Sequence, residues 1–210
     1  MQPPSYNDNV FINCPFDSDY KPLFDAMIFA IHDCGFVARC ALEEGDTSQV
    51  RIDTIYNIIE DCRYAIHDIS RTELDNTSDL PRFNMPLELG IFLGAKRFGG
   101  KKQKKKKCLV MVREQYQYQK FISDISGQDP LAHNNNPEEV VKVVRSWLNN
   151  VSGRQMIPGG GIIWRRYQGF LNDLPELTQN LRLEVEDLES FKDYTGVVAE
   201  WLSRQPSSKS

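Results

Sequence analysis

The sequence predicts an α/β fold, with a parallel sheet that carries helices on both faces and a helical C-terminal part. Two observations support this prediction. Short apolar runs alternate with segments of helical periodicity through the first half of the chain, and repeated strand–helix–strand units form parallel sheets. After Arg113 the pattern changes, and helical segments separated by strong breakers follow.

Four strands are predicted in the first half, at Val10–Cys14, Phe36–Ala41, Tyr64–Ile69 and Cys108–Val112. Two helices between them have apolar residues at every third or fourth position, at Tyr20–Cys34 and Arg51–Cys62. A polar loop spans Arg71–Arg82. Residues 9–113 are therefore predicted to form the α/β domain.

Helices are predicted in the second half at about Tyr116–Ser126, Pro137–Val151 and Ile162–Leu171, with one or two more between Pro175 and Leu202. Residues 114–203 are thus expected to be a helical extension packed on the α/β domain. Such an extension suits either a cap on the sheet or a dimerisation surface.

Composition narrows the class of protein. The 210 residues are 40% hydrophobic, enough for a real core, and the net charge of −4 argues against general nucleic-acid binding. The lysine-rich run Lys101–Lys107 is therefore expected to be a solvated loop. An odd number of cysteines and the lack of a signal-peptide pattern indicate reduced thiols in the cytoplasm. No apolar run approaches the length of a membrane span, and three scattered histidines without a cysteine pair predict no metal site.

Glu88 is the lone acidic residue of an apolar helical segment, Asn84–Ala95. Pro86 suits the first helical position and Asn84 can cap the free amides, which predicts Glu88 in the first turn of a helix that is buried on most sides. The helix dipole would hold this carboxylate ionised while burial shields it from water. Such an anion can face a developing positive charge or attack a carbon atom. Glu88 can equally be an ordinary acidic residue of a first helical turn, which interacts favourably with the helix dipole and has no catalytic role.

Ligands of open α/β sheets bind at the carboxyl ends of the strands. Three segments are predicted to meet there: Asn13–Asp17, Asp68–Ser70 and the loop leading to Glu88. His67 alternates with Asp68 along its strand, so its side chain is expected on the opposite face, as a packed histidine.

Taken in order, Cys14-Pro15-Phe16, then Tyr64–Ser70, then Asn84-x-x-x-Glu88-Leu89-Gly90 resemble segments of the nucleoside 2-deoxyribosyltransferase-like and bacterial TIR-like group. The resemblance covers roughly residues 9–113 and implies a flavodoxin-like sheet of four to five strands. Within the group, the glutamate segment looks most like that of TIR-like domains that cleave NAD in bacterial antiphage defence.

The resemblance implies that Glu88 is the catalytic carboxylate and that Asp68 helps to hold the ribose. Asn84 matches the asparagine of the glutamate segment. Free amides near Phe16 and the guanidinium groups of Arg39 and Arg51 are candidates for phosphate contacts. The full set of predicted substrate contacts is Cys14, Pro15, Phe16, Asp17, Arg39, Arg51, Asp68, Ser70 and Asn84.

The function expected from these residues is cleavage of the N-glycosidic bond of NAD or a related nucleotide, by hydrolysis or cyclisation, with NAD as substrate and no cofactor. Nicotinamide is already a cationic leaving group, so this reaction needs no general acid. Nucleoside 2-deoxyribosyl transfer, nucleotide N-glycosidase activity and a non-enzymatic adaptor or nucleotide-binding role remain alternatives. A homo-oligomer is expected, because TIR-like enzymes often complete their sites across subunits.

Overall fold

A five-stranded, all-parallel sheet forms the centre of the protein. The structure is a computed structural model, which describes residues 5–43, 45, 48–71, 83–116, 122 and 129–205. Its strands are β1 (Asn9–Asn13), β2 (Val37–Cys40), β3 (Tyr64–Asp68), β4 (Lys107–Val112) and β5 (Leu131–Ala132). They lie side by side in the order β2-β1-β3-β4-β5, which is the flavodoxin-like arrangement. The predicted fold class is therefore confirmed.

Six helices surround this sheet in the described part of the chain. They are α1 (Lys21–Asp33), α2 (Arg51–Asp61), α3 (Asn84–Phe98), α4 (Pro137–Ser152), α5 (Gly160–Leu181) and α6 (Phe191–Arg204). One face of the sheet packs against α1 and α4, with α5 and α6 joined to the same core, and the other face packs against α2 and α3. No helix among the described residues is long and apolar enough to cross a membrane.

The central strands β1 and β3 are buried along their whole length, as expected for strands that are covered on both faces. Their register pairs Asn13 with His67 at the carboxyl edge of the sheet. Asp68, the last residue of β3, is paired with Met111 of β4. This edge, where β1 and β3 meet and the strand order reverses, is the topological switch point.

The second half of the chain departs from its predicted pattern in two places. A fifth strand, β5, follows position 113 and extends the sheet. A single helix, α5, continues through Pro175, where the sequence predicted a break. Buried residues on both sides of the proline, Phe170 and Leu177, keep α5 on the core, which offsets the lost backbone hydrogen bond. The helix predicted at about Tyr116–Ser126 lies mostly outside the described residues.

An aromatic cluster joins the C-terminal helices to α1. The ring of Phe29 lies 5.2 Å from that of Tyr167, 5.4 Å from that of Phe170 and 5.7 Å from that of Trp201. All four side chains are buried. Helices α5 and α6 therefore share one hydrophobic core with the sheet.

The lysine run is only partly the solvated loop that was predicted. Lys106 is fully buried, and its ammonium group donates to the carbonyl oxygens of Ile59 and Cys62 at the end of α2. Burial lowers the pKa of Lys106 to about 8. This lysine ties β4 to α2 and is a structural residue.

Candidate active site

The carboxyl edge of the sheet is tied to α3 through Asn13. The side-chain amide of Asn13 donates to His67 Nδ1 at 2.9 Å and to the carbonyl oxygen of Met85 at 2.8 Å. His67 is fully buried beside Phe92, and burial lowers its pKa to about 3. The imidazole is therefore neutral and accepts at Nδ1. It is the packed histidine that the strand alternation predicted, on the α3 face.

Glu88 lies one turn beyond Met85 on α3, with only 9% of the residue exposed. Burial raises the pKa of its carboxyl group to about 7, against the opposing charge of Arg51. The prediction that the helix dipole holds Glu88 ionised is therefore wrong, because the pKa of its carboxyl group is raised and not lowered. A carboxyl group with this pKa exchanges its proton near neutral pH, as acid–base and nucleophilic groups of active sites do.

The start of α3 explains the difference. The helix begins at Asn84, with Phe83 at the cap position and no capping side-chain hydrogen bond there. Asn84 is therefore not the cap, Pro86 is the third helical residue and Glu88 lies in the second turn, beyond the reach of the free terminal amides. The prediction of a helix buried on most sides is also wrong, because Leu87 is 56% exposed. Of the polar loop predicted at Arg71–Arg82, residues 72–82 lie outside the described residues.

Cys14 directly follows β1, at the carboxyl edge of the sheet. Its thiol is buried, and burial raises its pKa well above the usual value, with further contributions from Asp68, Glu88 and Asp17. The thiol is held protonated, which makes it a poor nucleophile. Cys14 is therefore a buried core residue directly after β1.

Asp68 is the centre of a buried hydrogen-bond network that sequence reasoning did not find. Its Oδ2 accepts from the hydroxyl of Tyr20 at 2.6 Å and from His133 Nε2 at 2.9 Å, and its Oδ1 accepts from the backbone N–H of Ser70 at 2.8 Å. Both oxygens of Asp68 thus have partners within the chain. Its predicted contact with ribose stays a prediction.

His133 also contacts Ser70, yet the three residues do not form a catalytic triad. Asp68 Oδ2 and Ser70 Oγ both lie 2.9 Å from His133 Nε2, while His133 Nδ1 accepts the backbone N–H of Asn135 at 3.1 Å. The proton of the neutral ring is therefore on Nε2, and the ring has no free nitrogen to take a proton from Ser70. Only the tertiary structure brings His133, from the β5–α4 connection, to the end of β3.

The segment that follows β1 lies at the carboxyl edge of the sheet, next to the start of α1. Pro15, Phe16 and Asp17 line a cavity of about 280 Å³ between the start of α1 and the C-terminal helices. Asp17 accepts from the backbone N–H of Tyr20 at 3.1 Å and from Arg71 Nη2 at 2.7 Å. These residues are thus brought to the carboxyl edge, as predicted for the end of β1.

The remaining predicted contacts are placed differently. Arg39 of β2 makes two hydrogen bonds to Glu43, which raise its pKa. Arg51 is the exposed first residue of α2, and its charge acts on Glu88. Asn84 is exposed at the start of α3. Arg51 therefore belongs to the surroundings of Glu88, whereas Arg39 is already bound to a carboxylate.

Comparison with known proteins returned no matching family model, no matching curated protein and no matching solved structure. Among the described residues, no group of three or more His, Cys, Asp or Glu side chains has the arrangement of a metal site.

Proposed function

We propose that this protein is an N-glycosidase that cleaves the glycosidic bond of NAD or a related nucleotide, with Glu88 as the catalytic carboxylate. The observation that carries the proposal is the burial of Glu88 beside the switch point of a flavodoxin-like sheet, with Arg51 as its neighbouring charge. The resemblance of the Asn84–Gly90 segment to that of NAD-cleaving TIR-like domains supports the same reaction. It also supports a role in antiphage defence and a homo-oligomeric assembly.

The proposed reaction breaks the bond between C1′ of the ribose and the nicotinamide nitrogen. The bonding electron pair leaves with nicotinamide, which becomes neutral, and positive charge develops on the sugar. Ionised Glu88 stabilises that charge directly or forms a glycosyl ester. Attack by water on C1′ then gives hydrolysis with release of a proton, whereas attack by an adenine nitrogen gives a cyclic product.

The raised pKa of Glu88 fits this sequence of events. In the free protein, part of the population carries a neutral carboxyl group at pH 7, because the pKa is about 7. A cationic nicotinamide ring close to Glu88 favours the ionised form. Substrate binding therefore generates the anion at the moment when the reaction needs it.

A second candidate function, cleavage or transfer at a nucleoside or nucleotide with a neutral base, is favoured by the same pKa. A neutral base must be protonated as it leaves. A buried carboxyl group with a pKa of about 7 retains a proton at neutral pH and can supply it. In that reaction Glu88 acts as the acid.

The test is mass-resolved product analysis of wild type, Glu88→Gln and Glu60→Gln incubated with NAD, at low and high protein concentration. Parallel samples contain deoxynucleosides and a free acceptor base. Glu60 is the matched control, because it is exposed near the end of α2, at the opposite edge of the sheet. We expect nicotinamide release by wild type and Glu60→Gln, and none by Glu88→Gln.

Each alternative has its own result. Base exchange without nicotinamide release would identify the transferase. Nicotinamide release that persists in Glu88→Gln would refute the catalytic role of this carboxylate. A lack of reaction in every sample, together with intact self-association, would favour the adaptor.

A further inference from the structure

The surface around the turn between α3 and β4 carries an excess of positive charge. It is formed by the last turn of α3, the short 3-10 helix Gln103–Lys105 and the first residue of β4. We call it the basic surface, and its exposed cations are Arg97, Lys101, Lys102, Lys104, Lys105 and Lys107. The carboxylates next to it are those of Glu60 and Asp61, at the end of α2.

Most of this positive charge has no partner within the chain. Lys102 Nζ lies 3.8 Å from Asp61 Oδ1, in an exposed pair that water screens. The other five cations of the basic surface make no ion pair with any residue that the structure describes. Phe98 lies among them with 87% of the residue exposed. The basic surface therefore offers both charge and an apolar contact to a partner.

A surface of the opposite sign lies on the connection between α5 and α6. Four exposed carboxylates belong to it, those of Glu184, Glu186, Asp187 and Glu189. Two of them accept backbone N–H groups at the ends of a short 3-10 helix, and two exposed cations, Arg182 and Lys192, flank the segment. The carboxylates outnumber these cations, and Val185 lies among them with 68% of the residue exposed. We call this the acidic surface.

The two surfaces lie at opposite ends of the molecule. Lys107 is paired with Tyr64, so the basic surface is at the edge of the sheet where β3 and β4 begin. Glu189 lines the cavity with Pro15 and Phe16, which follow β1, so the acidic surface is at the carboxyl edge. The six residues of β4 span about 20 Å between these edges. The basic and acidic surfaces therefore cannot meet within one chain.

We propose that the basic surface of one copy of this chain binds the acidic surface of a second copy, so that copies associate head to tail. Charges of opposite sign steer such surfaces together, and Phe98 and Val185 give each surface an exposed apolar side chain to bury. A nucleic acid or an anionic bilayer would match the basic surface alone, whereas a second copy matches both surfaces.

Head-to-tail contact leaves one basic and one acidic surface free at the two ends of every pair. Further copies can therefore add, and the assembly does not stop at a dimer. This arrangement gives the homo-oligomer of the proposed function a defined interface. It does not depend on the reaction at Glu88.

Sedimentation velocity of the full chain, at increasing protein concentration and at low and high salt, tests the proposal. We expect the mass of wild type to exceed that of a dimer as the concentration rises at low salt, and to fall at high salt because salt screens exposed charges. Lys104→Gln/Lys105→Gln should weaken association by about three- to tenfold, since each exposed ion pair contributes only modestly. Glu186→Gln/Glu189→Gln should weaken it to a similar extent.

Mixing the two variants tests the direction of the contact. The lysine variant keeps its acidic surface and the glutamate variant keeps its basic surface, so an equimolar mixture should form dimers with the affinity of wild type and little beyond them. Arg165→Gln/Arg204→Gln is the matched control, because it removes the same charge as the lysine variant from exposed positions of α5 and α6. The control should associate like wild type, and circular dichroism checks that each variant is folded.

A monomer at every concentration, a dimer that does not grow, or association that persists unchanged at high salt would overturn the proposal. Parallel samples contain duplex DNA or anionic lipid vesicles. Binding of either one by a protein that stays monomeric, with loss of that binding in Lys104→Gln/Lys105→Gln, would assign the basic surface to that partner instead. Head-to-tail association without nicotinamide release would contradict only the proposed reaction.

Discussion

The hydroxyl group of Tyr20 donates a 2.6 Å hydrogen bond to Asp68 Oδ2, which joins the start of α1 to the end of β3. Both residues are buried, and burial together with the charge of Asp68 raises the pKa of Tyr20 well above its usual value. This bond belongs to the hydrogen-bond network at the carboxyl edge of the sheet. Its removal should therefore lower the free energy of unfolding.

Tyr20→Phe should lower the free energy of unfolding by about 1–3 kcal/mol, because a buried carboxylate loses a hydrogen bond. Urea denaturation at pH 7 measures the change. Tyr56→Phe is the control, since Tyr56 is 48% exposed on α2 and its change should be close to zero. Equal stability of wild type and Tyr20→Phe would show that the bond does not support the edge.

Glu88 should make the stability of the protein depend on pH. The pKa of its carboxyl group is about 7 in the folded protein and 4.5 as the ordinary value. Between these two pH values the folded state binds more protons than the unfolded state, so the stability from this group falls as pH rises from 4.5 to 7.

Glu88→Gln removes the free-energy cost of ionising a buried carboxyl group in the folded protein. The variant should match wild type near pH 4 and should be more stable at pH 8, by at most about 3 kcal/mol. Denaturation curves at a series of pH values test this, with Glu60→Gln as a control that shows no such trend. A difference that stays constant with pH would contradict the burial of Glu88.

Arg51 should set the pKa of Glu88 from the start of α2. Its positive charge opposes the effect of burial, so Arg51→Gln should raise the pKa of the carboxyl group further. Carbon-13 NMR titration of Glu88 measures this change, which should diminish at high salt because Arg51 is exposed. Arg165→Gln should leave the titration unchanged. Superimposable curves for wild type and Arg51→Gln at low salt would refute the interaction.

The pH dependence of the reaction should distinguish the two roles proposed for Glu88. If the ionised carboxylate stabilises the sugar cation, kcat/KM for nicotinamide release should rise with pH, with an apparent pKa of about 7. If Glu88 instead protonates a neutral base, kcat/KM for base release should fall above the same pH. A rate that is flat from pH 5 to 9 would exclude both roles.

Trp201 should be essential to the fold, although it lies far along the chain from the sheet. Its ring is 5% exposed and lies 5.9 Å from that of Phe170, and its Nε1 donates to Asp173 Oδ2 at 2.8 Å. Trp201→Ala should cost about 3–5 kcal/mol of stability, since a large buried ring is removed. Trp201→Phe keeps much of the packing and should cost clearly less. Thermal unfolding followed by circular dichroism compares the two variants.

Periodicity and turn residues were sufficient to predict the four main strands, α1, α2 and the parallel sheet, because these elements are encoded by local patterns of apolar residues. The same patterns did not predict β5, which has two residues and is too short to have a period. They also misplaced the start of α3. Asn84 and Pro86 are good local signals for a helix start, but the helix begins at Asn84 itself.

In the candidate site, too, the positions of residues along the elements could be predicted from the sequence, whereas their contacts could not. The sequence by itself determined that Cys14, Asp68 and Ser70 lie at the ends of strands and that Glu88 lies on the helix after β3, since each position follows from the order of the elements. Only the tertiary structure decided the protonation of Glu88, because burial depends on what packs around it. The structure alone also brought His133 to Asp68, across 65 residues of chain. Such a contact leaves no local pattern, because it is made by folding and not by neighbours in the sequence.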